Sequence, residues 1–196
     1  MATELDRSNG IVKADAYRGC GQWTVLEAQE IRSAVSTIDF DVSGYTEFGE
    51  LRWDIYNLQN TAAAVNLGLT YSTDGGSSYY SSYENSVNRA DHIGTGTHAM
   101  AHGFSATRSV VEIATGLYNL AYCRCSGWVV AYRWQETTGH HQFRSAMVGW
   151  QGSSNPGLFD MHSALDPGAA ITDVRFKMAS GNIDWADIVM SGRSLS

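Results

Sequence analysis

From Ile171 to Ala179 the chain alternates apolar and polar side chains, and after Ser180-Gly181-Asn182 a second alternating run continues to about Ser191. Val174, Phe176 and Met178 fall on one side of such a run and Asp173, Arg175 and Lys177 on the other; Ala186, Ile188 and Met190 repeat the arrangement. Successive side chains of a strand point to opposite faces, so each run hides one face and wets the other. The short turn between them predicts a β-hairpin with one buried face.

The same period recurs upstream. Leu51, Trp53 and Ile55 alternate with Arg52, Asp54 and Tyr56, and Val65, Leu67, Leu69 and Tyr71 alternate up to Asp74-Gly75-Gly76. Two glycines in succession supply the positive φ angles of a tight reversal, so a hairpin returning through Tyr79-Tyr80-Ser81-Ser82-Tyr83 is predicted. Regular runs follow at Val110 to Tyr122, Trp128 to Trp134 and Gln142 to Trp150. Between Trp23 and Phe40 the local rules leave two readings open. Thr24-Val25-Leu26-Glu27 has the form of a helix capping box, while Trp23 to Ile31 and Ala34 to Phe40 also read as two strands. Two stretches, about Glu84 to Arg108 and Gln151 to Ala169, have little apolar periodicity and read as long loops, the second holding both prolines.

Eight to ten strands in 196 residues, with six Trp, ten Tyr, 20 Gly and only 2 Pro, predict an all-β antiparallel β-sandwich, jelly-roll-like. Residues 1–20 are polar and without sustained periodicity, and read as an extended N-terminal arm used for docking or oligomerisation; residues 21–196 read as a single domain.

Charge narrows the partners. The net charge of −7, with lysine only at 13 and 177, opposes a phosphate backbone, so nucleic acid is excluded as a partner. No run reaches the about 18 apolar residues of a membrane span, and Met1 to Arg7 lacks the order of a signal peptide, so synthesis in a cytoplasm without membrane insertion is expected. Cys20, Cys123 and Cys125 are too few for a disulfide framework. On one strand Cys123 and Cys125 would face the same way about 6.6 Å apart, a poor geometry for bonding to each other.

Four constellations carry conceivable chemistry. His98-Ala-Met-Ala-His102, with Asp91 and His92 nearby, has the spacing of metal-binding histidines, but Ala99 stands where a metalloprotease needs glutamate, and solvated loop histidines are the expectation. Cys123 and Cys125 with His140 and His141 invite a zinc reading; core packing of small thiols is expected instead, and no metal or cofactor is assigned. Asp39 and Asp41 share one strand face, as paired acids of a glycan hydrolase would, or as a calcium site would; scattered solvent-facing acids are the simpler account. No catalytic residues are assigned. Tyr79, Tyr80 and Tyr83 would stack on sugar rings at a wet surface or pack across strands. With His92, His98 and His102 they form the candidate ligand-binding set.

One resemblance gives these features a setting. Ile171-Thr-Asp-Val-Arg-Phe-Lys-Met-Ala-Ser-Gly-Asn-Ile183 resembles the closing segment of tailed-phage virion proteins, where an Ile-Thr strand enters a Ser-Gly-Asn-Ile turn and a last strand ends at glycine, here Gly192. Ile38-Asp39-Phe40, the strand from Leu51 to Leu58, the Asp74-Gly75-Gly76-Ser77 turn and Gly116-Leu117 follow in the same order, so the likeness spans about Gln22 to Gly192. The chain departs at Met190-Ser-Gly-Arg-Ser194, which replaces the apolar closing residues of those proteins. The resemblance implies strands over Trp23 to Phe40 and a β-sandwich module of a tail fibre, tail tip or head fibre, or a capsid decoration protein. It further implies a virion location, a homotrimer, contacts to other virion proteins through the arm, and contact with host-surface glycan. A non-enzymatic structural role is expected, with shell bracing and glycan cleavage as the alternatives.

Overall fold

A computed structural model describes residues 22–80, 83–93, 97–108, 110–151, 155–165 and 168–194; within 83–93 and 97–108, Ser86 excepted, and at 151, 155 and 165 only the backbone is described. The expected arm, residues 1–20, lies outside the described residues. Twelve strands make up the described chain: β1 (Thr24–Ile31), β2 (Thr37–Asp41), β3 (Glu50–Asn60), β4 (Val65–Ser72), β5 (Tyr83–Ile93), β6 (Thr97–Arg108), β7 (Val111–Leu117), β8 (Cys125–Tyr132), β9 (His141–Gln151), β10 (Asn155–Leu165), β11 (Asp173–Met178) and β12 (Ile183–Arg193). All their pairings are antiparallel, and no helix occurs among the described residues.

The strands form two antiparallel sheets packed against each other as a β-sandwich. One, the large sheet, runs β1-β12-β3-β8-β9-β10-β5-β6; the other, the small sheet, runs β7-β4-β11-β2. A single pair, Leu117 with Gln151, joins them at β7 and β9. Between them lies a core in which the alternating residues meet as expected. Leu51, Trp53, Ile55, Ile188 and Met190 descend from the large sheet, and Leu67, Leu69, Val174 and Phe176 rise from the small one, each fully buried or nearly so. At its centre Phe40, Trp53 and Phe176 meet edge to face, with ring centroids 6.0–6.3 Å apart, the arrangement that brings a positive ring edge to a negative face.

Three expectations change. The C-terminal runs do not pair with each other: β11 pairs with β2 and β4, and β12 pairs with β1 and β3. Ser180-Gly181-Asn182 is therefore an arch from one sheet to the other. Thr61 Oγ1 accepts from the Asn182 amide at 2.8 Å and the Thr61 amide donates to Asn182 O at 3.0 Å, which anchors the arch. Gly181 takes φ 71° there, and a Cβ would lie 2.8 Å from both Ala62 Cβ and Thr61 Oγ1. Buried alternation is the same in a hairpin and an arch, because period two reports the face and not the partner.

Second, residues 84–93 and 97–108 are not loop but the paired antiparallel strands β5 and β6, with Ile93 opposite Thr97. Likewise 151–169 contains β10, between β9 and β5. Pro156 is tolerated because the β5 register begins only at Gly157, so its missing N–H leaves no ladder bond unmade on that side. Third, Tyr79 and Tyr80 do not continue a return strand beside β4. The tight turn is there, with Gly75 at φ 70° and Gly76 at φ 76°, but β4 takes β11 and β7 as neighbours, and the Tyr80 amide bonds back to Tyr71 O at 3.0 Å without a ladder forming. Trp23 to Phe40 forms strands, as the resemblance implies.

Candidate functional site

The candidate tyrosines separate. Tyr80 turns inward and stacks on Tyr71 at 4.8 Å, which stacks in turn on Phe143 at 6.0 Å. Tyr79 stays outside, its ring 3.8 Å from the guanidinium carbon of Arg175. Arg175, on β11, donates from Nε and Nη2 to the two carboxylate oxygens of Asp39 on β2 at 2.6 and 2.8 Å. The register sets this fork, since Arg175 and Asp39 are direct cross-strand partners. Partial burial beside Asp39 raises the Tyr79 hydroxyl above its ordinary pKa, and the hydrogen bonds to Asp39 hold Arg175 more firmly protonated. Tyr83, His92, His98 and His102 have only their backbone described. His92 stands opposite His98, and His102 opposite Asn88, across the β5–β6 pair.

The paired acids do not converge on a common site. Asp39 is held by Arg175, and Asp41 Oδ1 accepts from the Ser43 amide at 2.9 Å and its hydroxyl at 2.6 Å. Cys123 sits before β8 rather than in it, its amide donating to Leu120 O at 2.8 Å. Cys125 is buried, and desolvation pushes its thiol up to about 12, so it packs as a small hydrophobe. His141 lies in the core with Nε2 2.8 Å from Glu136 O. Among the described residues no three His, Cys, Asp or Glu side chains gather in a way that would hold a metal.

Among the described residues, the Gly-Gly turn carries the most perturbed carboxylate. Asp74 accepts from the Ser72 hydroxyl and the Ser78 hydroxyl, each at 2.6 Å, and from the Ser78 amide at 2.9 Å. These bonds, Ser72 first, pull its pKa from 3.8 to about 2. A depressed carboxyl stabilises the fold above its unfolded value and loses that contribution as the pH falls toward its folded one. A carboxyl titration by NMR is therefore expected to place Asp74 near 2, and Asp74→Ala to remove acid sensitivity between about pH 4 and pH 2. A midpoint at the ordinary value would refute the bonding.

A feature absent from the sequence-derived set dominates the surface. Across the outer face of the large sheet, arginines and tryptophans from neighbouring strands interleave. Arg193 lies 5.0 Å from the Trp23 ring, Arg52 lies 5.8 Å from Trp23 and 5.5 Å from Trp128, and Arg144 lies 5.9 Å from Trp128. At the other end of this face Arg32 and Arg124 approach Trp185 at 4.2 and 5.9 Å. Each guanidinium gains from the negative ring face. Four of these arginines are also paired with acids: Arg52 with Asp54 at 2.6 Å, Arg144 with Asp160 at 3.9 Å, Arg193 with Glu50, and Arg32 with Asp187. Single residues of this array look unremarkable in sequence; only the register, Ser191 with Arg52, Arg52 with Val130 and Val130 with Arg144, lines them up.

Trp128 is flanked by arginines from the strands on either side of it, β3 and β9. Guanidiniums there compete with a sugar ring for its faces, so the array is a preformed, rigid surface more than an open stacking platform. Comparison with family models, with curated proteins and with solved structures found no match.

Proposed function

We propose that this chain is a non-enzymatic structural protein of a tailed-phage particle, a sandwich module displayed at the particle surface as a homotrimer and docked through residues 1–20. The observation that carries the non-enzymatic part is the state of the polar groups. Asp39 is forked to Arg175, the arginines of the large sheet lie against rings and acids, and Cys125 is buried and fully protonated at neutral pH. Acids with freedom to accept and donate protons are what hydrolysis needs, and these are engaged. The virion setting rests on the resemblance carried by Ile171 to Ile183 and the motifs upstream of it. A fibre or tip module touching host-surface glycan is the favoured station, and a capsid decoration protein the second.

Purified phage particles test this directly. The chain is expected among their proteins in fixed stoichiometry, with antibodies reaching it on intact particles, and deletion of residues 1–20 is expected to abolish incorporation. Particles that lack the chain would overturn the reading. Release of reducing sugar from host polysaccharide, lost in Asp39→Asn, would replace it with the hydrolase.

A further inference from the structure

All six large hydrophobic side chains that stand exposed among the described residues belong to one side of the sandwich. Val25 (β1), Trp185 (β12), Tyr56 (β3), Val148 (β9) and Leu158 (β10) project from the outer face of the large sheet, and Tyr122 borders it, edge-on to Trp150 at 6.2 Å. Val148 and Leu158, 57% and 51% exposed, are direct cross-strand partners, and the next pair along is Trp150 with Pro156. An apolar strip thus runs beside the arginine–tryptophan array on the same face. Soluble proteins seldom leave such a surface to water. Trp, Tyr and Arg over a partly apolar ground is the composition of an association hot spot.

Charge selects the occupant. The ion pairs and ring stacks of this face engage Arg32, Arg52, Arg124, Arg144 and Arg193 with Glu30, Glu50, Asp54, Asp160 and Asp187, five positive against five negative. The outer face of the small sheet instead carries Asp39, Asp41, Glu112 and Asp173 against Arg175 and Lys177. A chain of net charge −7 repels its own copies over most of its surface and can approach them where the charge balances. Size agrees. Six strands from β1 to β10, spaced about 4.8 Å apart and eight or more residues long at about 3.4 Å each, present a face on the order of 800 Å². A standard stable interface buries about that much per partner.

We infer that the outer face of the large sheet is the surface through which copies of this chain associate, with the Val148–Leu158 strip and the Arg52–Trp128–Arg144 array at its centre. The inference names the face for the homo-oligomer of the proposed function and rests on that part of the reading. Incorporation into particles is measured separately, so either result can fail while the other holds.

Sedimentation of the full chain across a range of concentrations is the test, with Val148→Glu and Leu158→Glu as separate variants and Lys177→Glu as the control on the other sheet. Both altered positions are solvent-facing, and circular dichroism and melting will verify that each variant is folded. The wild type is expected to sediment above the mass of one chain. Each Glu variant is expected to raise the dissociation constant at least about 30-fold, the loss a hot-spot residue produces, with Lys177→Glu unchanged. A wild type that stays monomeric at high concentration, or an oligomer indifferent to both Glu variants, would overturn the inference. So would a monomer whose tryptophan emission shifts with host polysaccharide, which would make the face a ligand platform.

Discussion

Replacing Gly127 by alanine is expected to destabilise the fold by about 3–5 kcal/mol, because no motion of a flexible side chain makes room for the methyl group. Gly127 is the third residue of β8, opposite Ile55 on β3 and Met147 on β9. A Cβ there would stand 2.2 Å from the Ala146 carbonyl oxygen and 2.7 Å from both Met147 Cα and Met147 Sδ. Methionine sulfur can swing aside. The backbone of β9 cannot do so without breaking its ladder on one side with β8 and on the other with β10. A domain of this length loses roughly 2–4 °C of melting temperature per kcal/mol, so the melting point should fall by roughly 6–20 °C. Gly44 makes the control: nothing lies within 4 Å of its added Cβ, and Gly44→Ala should leave melting nearly unchanged. Equal effects at both positions would contradict the close approach of β8 and β9.

How far the sequence announces this fold depends on what kind of alternation a strand carries. Where apolar residues alternate with polar ones or glycine, as in β3, β4 and β11, the buried set is readable in advance, and Trp53, Leu69 and Phe176 are where the period places them. β6 alternates in size instead. Ala99, Ala101, Gly103 and Ser105 intervene between His98, Met100, His102 and Phe104, a period-two signal that a search for apolar residues passes over. Histidines in such a strand look like loop histidines. β10 hides for a different reason, since a proline at its second residue argues against a central strand unless the length of its neighbour is known. Pairing is the deepest gap. Burial patterns give the face of each residue, but the choice between hairpin and arch at Ser180-Gly181-Asn182 is made by contacts with Thr61 and Ala62, over a hundred residues away.

The same limit explains the candidate site. Tyr79 and Tyr80 are neighbours with equal chemistry in sequence, yet one lies on Arg175 outside and the other on Tyr71 inside. They stand in the connection between β4 and β5, where no strand pairing holds them to one face, so a tyrosine cluster in sequence need not be a cluster in space. Conversely Trp23, Arg52, Trp128, Arg144 and Arg193 come from five separate segments. Each alone reads as an ordinary outward residue of a strand or its flank. Their meaning arises when β1, β12, β3, β8 and β9 are laid side by side.

Truncating Phe176 to alanine should cost about 3–5 kcal/mol, the range for removing a fully buried aromatic side chain. The reason is its position. Phe176 and Phe40 belong to the small sheet and Trp53 to the large one, so the edge-to-face triad spans the seam that makes two sheets a sandwich. Removing the ring leaves Phe40 and Trp53 facing a void that the paired strands on either side of β11 keep from collapsing. Denaturant unfolding should show the midpoint lowered with the slope unchanged, since the surface exposed on unfolding barely alters. Phe176→Leu, which keeps most of the volume, should cost less than half as much. Trp53→Ala and Phe176→Ala together should cost less than the sum of the two, because each single change already forfeits their shared contact. Strict additivity in that cycle would mean that the sheets are held together elsewhere.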